Sequence, residues 1–276
     1  MGIVNDIKSL KIQGARNIAI QSLRYLKNYG EKNGFKKRFE NKMEKLENAR
    51  PTAVLLHNVL NKLRDDKSKE KINSLLKNLK EINKKISQNG YDIIKSKMTV
   101  HTHCHSSSAI SVLKKAGKFK KFTVVVDETR PKEQGIKTAK ELSKIENIEV
   151  ILITDDAAGV ALSPFIEPND DLVIVGCDAI REKGIINKIG TYLLAVAASE
   201  QNIPFYVAGS TLKYDKRNEV KIEQRPSSEV YKKIKNVNIK NPAFDITPWK
   251  YITGVITEEG IKNPKQVLKE LKGVTK

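Results

Sequence analysis

Residues 98–128 read MTVHTHCHSSSAISVLKKAGKFKKFTVVVDE, and this stretch decides the fold. Two short β-branched runs, MTVHTH and FTVVVDE, flank a stretch of helical length, SSAISVLKKAGK. Val, Ile, Thr and Phe favour strands, and a helix between two such strands is typical of parallel pairing. The stretch therefore predicts a strand, a crossover helix and a second, parallel strand.

The same alternation continues towards the C-terminus. The apolar runs IEVILIT, DLVIVG, PFYVAG and ITGVITE are separated by the helix-length stretches QGIKTAKELSKI and TYLLAVAASEQN, and PKQVLKELKG comes last. Near-continuous apolar strands alternating with helices indicate a parallel sheet covered on both faces. We predict an α/β fold with a Rossmann-like parallel-sheet domain over residues 98–276.

Residues 1–97 show a different pattern. Apolar side chains recur every three or four positions in Ile12–Leu26, Leu55–Leu63 and Ile72–Ile86. That spacing is typical of amphipathic helices. We predict a small N-terminal helical domain over residues 1–97, of about four helices.

The composition, 39% hydrophobic and 30% charged residues, is that of a soluble globular protein. The sequence shows no apolar run near the roughly 20 residues that a membrane helix needs. The start, MGIVNDIKSL, lacks the layout of a signal peptide. Two cysteines, Cys104 and Cys177, are too few for a disulfide framework. We expect free thiols, a cytoplasmic location and no membrane partner.

The net charge of +19 raises the question of nucleic-acid binding. Residues 1–97 hold 23 Lys and Arg against 10 Asp and Glu, so most of the excess lies in the helical part. The lysines are spaced along helices, as in KINSLLKNLKEINKKI. We favour a solvated basic face over a dedicated nucleic-acid interface.

Ligands bind parallel sheets beyond the carboxyl ends of the strands, where HTHCHSSS, residues 101–108, is expected. Cys104 is a candidate catalytic thiol, with a pKa lowered by the N-terminus of the next helix, where Ser106–Ser108 and backbone N–H groups would bind phosphate. A structural cysteine beside a helix-capping serine is the alternative. A metal site is disfavoured, because strand alternation sends His101, His103 and His105 to the face opposite Cys104.

Asp178 follows the apolar strand DLVIVG and is expected at the same edge of the sheet. A carboxyl group in this half-buried place is a candidate proton donor. Asn187 and Lys188 are expected to open the next helix and to contact hydroxyls or phosphate. The alternative is that Asp178 is a turn residue.

Two further strand ends carry charged residues. Arg130 precedes Pro131 and is expected to be extended, with its guanidinium aimed at a ligand; a salt-bridged loop is the alternative. Asp155 and Asp156 resemble a Mg²⁺ pair, but adjacent strand-end residues point apart, which favours a structural role.

These blocks, in this order, resemble one known family. THCHS, ETRPxxQGxxTAxxL, DxAxG, VGxDAI, NKIGT and PFYVA with a following Lys match the family that unites sugar-phosphate isomerases with regulatory subunits of translation initiation factor 2B. The resemblance covers nearly the whole chain and is strongest from Thr102 to Tyr214. The isomerases carry a Cys–Asp pair, matched here by Cys104 and Asp178, and the regulatory subunits generally lose both.

The resemblance also implies substrate contacts. The phosphate-binding motif Arg-Gly-Ala is matched only in part, because Gln13 precedes Gly14 and Ala15, and Arg16 follows. Arg50 matches a second basic phosphate contact. With Arg130, inferred from the residues alone, the expected substrate and phosphate contacts are Gly14, Ala15, Arg16, Arg50, Ser106, Ser107, Ser108, Arg130, Asn187, Lys188 and Lys213.

The C-terminal sequence from VKIEQRPSSEVY onward looks most like the archaeal ribose-1,5-bisphosphate isomerases of this family. The resemblance implies conversion of ribose 1,5-bisphosphate to ribulose 1,5-bisphosphate by Cys104 and Asp178, with no cofactor or metal, in a homodimer or hexamer. The alternatives are a methylthioribose-1-phosphate isomerase and a non-catalytic regulator that binds initiation factor 2.

Overall fold

The computed structural model describes residues 2–163, 171–217 and 222–273. The helical part contains a short helix, α1 (Ile3–Lys8), and four longer ones, which are α2 (Ala15–Asn33), α3 (Lys37–Ala49), α4 (Val54–Arg64) and α5 (Lys69–Asn89). Leu55–Leu63 lies in α4 and Ile72–Ile86 lies in α5, as predicted, and Ile12–Leu26 lies in α2 from Ala15 onward, with Ile12 before the helix. No helix in the described ranges is long and apolar enough to cross a membrane.

All six predicted strands form one sheet. They are β1 (Thr99–Thr102), β2 (Phe122–Asp127), β3 (Ile148–Ile153), β4 (Leu172–Gly176), β7 (Phe205–Ala208) and β9 (Gly254–Thr257), with β10 (Gly260–Lys262) added at one edge. The spatial order is β10-β9-β7-β4-β1-β2-β3. The first six strands pair in parallel and β10 is antiparallel to β9.

This order reverses direction between β1 and β4. From β1 the chain proceeds to β2 and β3 on one side, and from β4 to β7 and β9 on the other. This is the strand order of the doubly wound dinucleotide-binding fold, which confirms the Rossmann-like prediction. Ligands in such folds bind in the crevice at the reversal point, beyond the carboxyl ends of the strands.

Five helices follow strands of the C-terminal part. They are α6 (Ser107–Gly117), α7 (Gln134–Leu142), α8 (Ala158–Ala161), α9 (Thr191–Glu200) and α10 (Pro264–Leu271). The helical part does not pack separately, because Ile86 of α5 belongs to the same buried cluster as Val100 of β1 and Val112 of α6. The boundary at residue 97 stays a prediction.

A second, three-stranded sheet was not predicted. It consists of β5 (Ala179–Arg181), β6 (Gly184–Lys188) and β8 (Phe244–Thr247), in the order β5-β6-β8. The expectation that Asn187 and Lys188 open a helix is wrong, since both residues end β6 and pair with Asp245 and Phe244 of β8. The helix begins at Thr191, after the turn at Ile189 and Gly190.

Candidate active site

The loops after β1 and β4 meet at the reversal point of the large sheet. Cys104 lies two residues after β1, and Asp178 lies two residues after β4. Both side chains line one cavity of about 620 Å³. The strand-end rule therefore placed the two candidate catalytic residues in the same crevice, although 73 residues separate them in the chain.

The two loops approach closely because Gly176 has no side chain. A Cβ atom at this position would lie 2.1 Å from Oγ of Ser106. The peptide N–H of Asp178 donates a hydrogen bond to the carbonyl oxygen of Ile186 in β6, at 2.7 Å. Asp178 is thus held between the end of the large sheet and the start of the small one.

The backbone of Cys104 is held in a left-handed conformation, with a φ of 67°. Its N–H donates to Oγ1 of Thr129 at 2.9 Å, and its carbonyl oxygen accepts from the hydroxyl of Thr138 at 2.8 Å. Non-glycine residues rarely adopt this conformation, and such residues are often found at functional sites. Both backbone groups of Cys104 are therefore bound by threonines, while its side chain lines the cavity.

The electrostatic environment of the thiol differs from the prediction. The pKa of Cys104 is raised to about 11, mainly by burial and to a smaller extent by the carboxylates of Asp178 and Asp155, although the Lys188 ammonium and the His105 N–H act to lower it. The prediction that the helix N-terminus lowers the pKa of Cys104 is wrong, because desolvation of the thiolate outweighs the nearby positive charges. In the ligand-free cavity the thiol form predominates at neutral pH.

Two helix N-termini point towards the cavity. Ser106 caps α6 by accepting a hydrogen bond from the N–H of Ala109, and Ser107 also lines the cavity. Gly14, with a φ of 82°, precedes α2, and Gly14, Ala15 and Arg16 line the opposite wall. Unpaired N–H groups at helix N-termini favour bound anions. The arrangement suits a ligand that carries phosphate.

Four of the predicted basic contacts also line the cavity, namely Arg16, Arg50, Lys188 and Lys213. Lys213 is buried and donates to the carbonyl oxygen of Cys177 at 2.6 Å. Arg50 contacts the carboxylate of Glu223 at 3.3 Å, and both side chains are less than one-fifth exposed. The wall is strongly cationic even after these pairings.

Three predicted contacts lie elsewhere or act differently. Arg130 is not among the described residues lining the cavity; it is exposed, with its guanidinium 3.1 Å from Glu133, which matches the salt-bridged-loop alternative. Ser108 is buried under α5 and donates to Oδ1 of Asn83. Asn187 does line the cavity, but its amide N–H donates to the hydroxyl of Thr191 at 3.0 Å.

Comparison with known proteins then identifies the family. Residues 11–264 match the profile described as the Initiation factor 2 subunit family. The chain belongs to this family. It is 39% identical to a ribose 1,5-bisphosphate isomerase of Methanocaldococcus jannaschii over 94% of this chain and 90% of that protein. It is 36% identical to a methylthioribose-1-phosphate isomerase of Carboxydothermus hydrogenoformans, over 98% of this chain and 90% of that protein.

Solved structures of the family share the fold. A Pyrococcus horikoshii protein described as translation initiation factor eIF-2B superposes with a TM-score of 0.83 at 30% identity, covering 95% of this chain and 96% of that one. A 5-methylthioribose 1-phosphate isomerase from the same organism superposes with a TM-score of 0.76 at 29% identity, covering 99% and 87%. The fold is therefore common to relatives named as isomerases and to relatives named as initiation factors.

Sequence reasoning missed part of this family site. The outer wall also contains the charged residues Lys132, Glu133, Lys137, Arg225 and Glu229. Lys132 and Glu133 follow shortly after Arg130, which is the residue that the sequence analysis proposed at this strand end. Arg225 and Glu229 come from a segment with no regular strand or long helix, so no periodicity marked them.

One group in the described part of the chain has the residue types of a metal site. Ligand atoms of His103, Asp127 and Asp155 lie within 4.8 Å of one another. However, Asp127 binds both His101 and His103 at 2.8 Å, and Asp155 accepts the N–H groups of Thr129 and Arg130 at 2.8 and 2.7 Å. These hydrogen bonds already occupy the side-chain atoms that would bind a metal ion, and they agree with a structural role for Asp155.

Proposed function

We propose that this protein converts ribose 1,5-bisphosphate to ribulose 1,5-bisphosphate. The observation that carries the proposal is the placement of Cys104 and Asp178 in one cavity whose walls hold basic side chains and two helix N-termini. A thiol and a carboxyl group supply the base and the acid of an isomerisation, and the cationic walls suit two phosphates. Two relatives that are 38–39% identical bear the name of this isomerase.

The proposed reaction begins with opening of the sugar ring. Asp178 donates a proton to the ring oxygen as its bond to C1 breaks, and the Cys104 thiolate removes the proton from C2. The product of this step is a cis-phosphoenolate that keeps the phosphate on C1. The Cys104 thiol then returns a proton to C1 and the Asp178 carboxylate accepts the proton of the C2 hydroxyl, which leaves a ketone at C2. Protons are conserved, so substrate and product are isomers.

The cationic side chains act on the phosphates. Arg16, Arg50, Lys188 and Lys213 line the cavity together with the N-termini of α2 and α6. Fixed positive charge neutralises both phosphates and stabilises negative charge that develops between C1 and C2. Lys188 lies near enough to Cys104 to favour its thiolate, which places one cation beside the reacting carbon.

The main enzymatic alternative is isomerisation of methylthioribose 1-phosphate. That substrate has an apolar thioether in place of the 5-phosphate, so its pocket should offer apolar groups at one end. Arg16 and Arg50 line the cavity here, and Lys137 adds a further positive charge, whereas Lys132 and Arg225 pair with Glu229. These residues favour a ligand with two phosphates.

The deciding experiment offers both sugars to the purified protein and follows ketose formation. We expect turnover of ribose 1,5-bisphosphate with a kcat/KM at least about tenfold above that for methylthioribose 1-phosphate, since a lost charged contact costs 1–3 kcal/mol. The opposite preference would identify the thioether sugar as the substrate. Turnover of neither sugar, together with binding to initiation factor 2, would indicate a regulatory protein.

Alkylation of Cys104 by iodoacetamide should become faster as the pH rises, because the thiolate is the reactive form. Burial raises the pKa of Cys104 to about 11, so below that pH the thiolate fraction increases about tenfold per unit. We expect the logarithm of the alkylation rate to rise with a slope of about 1 between about pH 7 and about pH 9. A flat profile in this range would show that the thiol is already ionised and would contradict its buried environment.

We also propose that the protein is a homodimer, or a hexamer built from dimers, paired through α8 and α9. Leu193 is 72% exposed, Val160 is 50% exposed and Tyr192 is 37% exposed, so exposed apolar side chains lie on two helices that contact each other. Exposed apolar surface of this kind often marks an interface. A second copy would bury it by two-fold symmetry.

Leu193→Lys should convert the dimer to a monomer, because symmetry brings the introduced charge into the interface twice. Light scattering after gel filtration measures the mass. Phe119→Lys is the matched control, since Phe119 is 65% exposed and lies after α6. A dimeric Leu193→Lys protein, or dissociation by both substitutions, would contradict the proposed interface.

A further inference from the structure

The loop that carries Cys104 is joined to the turn that follows Lys188 by one buried imidazole. Nδ1 of His103 lies 2.8 Å from Oδ2 of Asp127 at the end of β2, and its Nε2 lies 2.9 Å from the carbonyl oxygen of Ile189. Cys104 follows His103 directly, and Ile189 follows Lys188 directly. The ring therefore spans the gap between the end of β1 and the end of β6.

The anchor of this imidazole is fixed in the core. Asp127 is 2% exposed and its other oxygen, Oδ1, lies 2.8 Å from Nε2 of His101. The two histidines hold the pKa of Asp127 below its usual range, despite the opposing effect of burial. A buried carboxylate with a hydrogen-bonded partner on each oxygen has little freedom to move.

The turn on the other side of the ring is also held. The N–H groups of Gly190 and Tyr192 both donate to Oδ2 of Asp245, at 2.8 and 3.1 Å, and burial raises the pKa of Asp245 to about 6. Gly190 has a φ of 102°, and a Cβ atom there would lie 3.0 Å from the His103 ring. The ring thus fills the space above this turn, and glycine allows it to do so.

We propose that His103, anchored by Asp127, is a positioning residue that keeps the Lys188 ammonium beside the Cys104 thiol. A role for His103 in catalysis rests on the proposed function. Its effect on the reactivity of the Cys104 thiol does not depend on that function. The groups that face Cys104 are Lys188, His105, Asp178 and Asp155, and Lys188 is the largest of the influences that favour the thiolate. Burial raises the pKa of Cys104 by more than Lys188 lowers it, so a shift of Lys188 changes the ionisation of the thiol within that larger effect.

The chain offers a matched pair of variants. His103→Gln and His101→Gln each remove one imidazole from the same buried carboxylate, and both histidines are at most 2% exposed. In contrast to His103, His101 comes two residues earlier in β1 and is not next to Cys104. The two variants should lower the free energy of unfolding by comparable amounts, but only His103→Gln should loosen the turn that follows Lys188.

The test measures alkylation of Cys104 by iodoacetamide as a function of pH, in the whole protein without substrate, with peptide mass spectrometry separating Cys104 from Cys177. We expect His103→Gln to lower the rate of Cys104 alkylation at about pH 8 roughly tenfold, which corresponds to a rise of about one unit in the pKa of Cys104. His101→Gln should leave this rate within about twofold of the wild-type value. Equal rates for the two variants, or an unchanged rate in His103→Gln, would overturn the proposal.

Gly190→Ala provides a second route if His103→Gln does not fold. The added Cβ pushes against the ring from the Lys188 side, so it should slow alkylation of Cys104 in the same direction, and an unchanged rate would count against the proposal. Because alkylation requires no sugar, its result stands apart from the isomerase assay. If the variants slow alkylation of Cys104 but the wild-type protein does not turn over ribose 1,5-bisphosphate, the positioning role stands and the proposed function is rejected.

Discussion

Cys104→Ser should reduce formation of ribulose 1,5-bisphosphate by about 10²–10⁴-fold, the usual loss when a general base is removed. A serine hydroxyl is far less acidic than a thiol, so it cannot accept the proton from C2 at neutral pH. The backbone contacts of Cys104 with Thr129 and Thr138 do not involve the sulfur atom, and the substitution should leave the fold intact. A coupled assay for the ketose bisphosphate measures the loss, and circular dichroism checks the fold.

Cys177 provides the control for this substitution. It lines the same cavity and precedes Asp178, but its sulfur packs against Gly209, where a Cβ atom would lie 2.3 Å away. Cys177→Ala should therefore keep activity within a few-fold of the wild-type protein. Near-normal turnover by Cys104→Ser, or an equal loss in both variants, would show that Cys104 has no specific part in the chemistry.

Asp178→Asn should also reduce turnover by about 10²–10⁴-fold, because an amide cannot donate a proton to the ring oxygen. The substitution has a second consequence of opposite sign. The Asp178 carboxylate raises the pKa of Cys104, so its removal should lower that pKa and make the thiol more reactive. Isomerisation should fall while alkylation of Cys104 by iodoacetamide accelerates.

Simple damage needs a separate control, because disorder of the cavity would expose the thiol, lower its pKa and also speed its alkylation. An unchanged melting temperature in Asp178→Asn would show that the gain in reactivity comes from the lost carboxylate. If Asp178→Asn kept normal turnover, the acid would have to be another residue. If alkylation slowed instead, Asp178 would not act on Cys104 through its negative charge.

The sequence predicted the large sheet because each of its six parallel strands is a mostly apolar run separated from the next by a stretch of other composition. The strand-end rule then places Cys104 and Asp178 at the same edge of that sheet. The small sheet was missed because β5 and β6 are three and five residues long and lie inside a segment that reads as two turns. Lys188 was selected correctly as a cavity residue, but for the wrong local structure.

The pKa of Cys104 could not be predicted from its neighbours in the chain. The adjacent helix N-terminus and Lys188 favour the thiolate, but desolvation depends on which distant segments close over the sulfur atom. Several segments that are remote in sequence line the same cavity, among them α2, the turn after β6 and the residues around Arg225. Likewise, Arg130 was identified by its charge beside Pro131, and only the fold shows that Glu133 holds it at the surface.

The large sheet is connected to the small one by only Cys177 and Asp178, since β4 ends at Gly176 and β5 begins at Ala179. An insertion here would pull apart two hydrogen-bonded sheets, so the length of this junction is expected to tolerate no change. Lys132 lies between β2 and α7, and Arg225 lies in a segment without a regular strand, so neither belongs to a junction between the two sheets. New substrate preferences, whether selected in nature or designed, should therefore arise by rebuilding those outer segments around an unaltered acid–base centre.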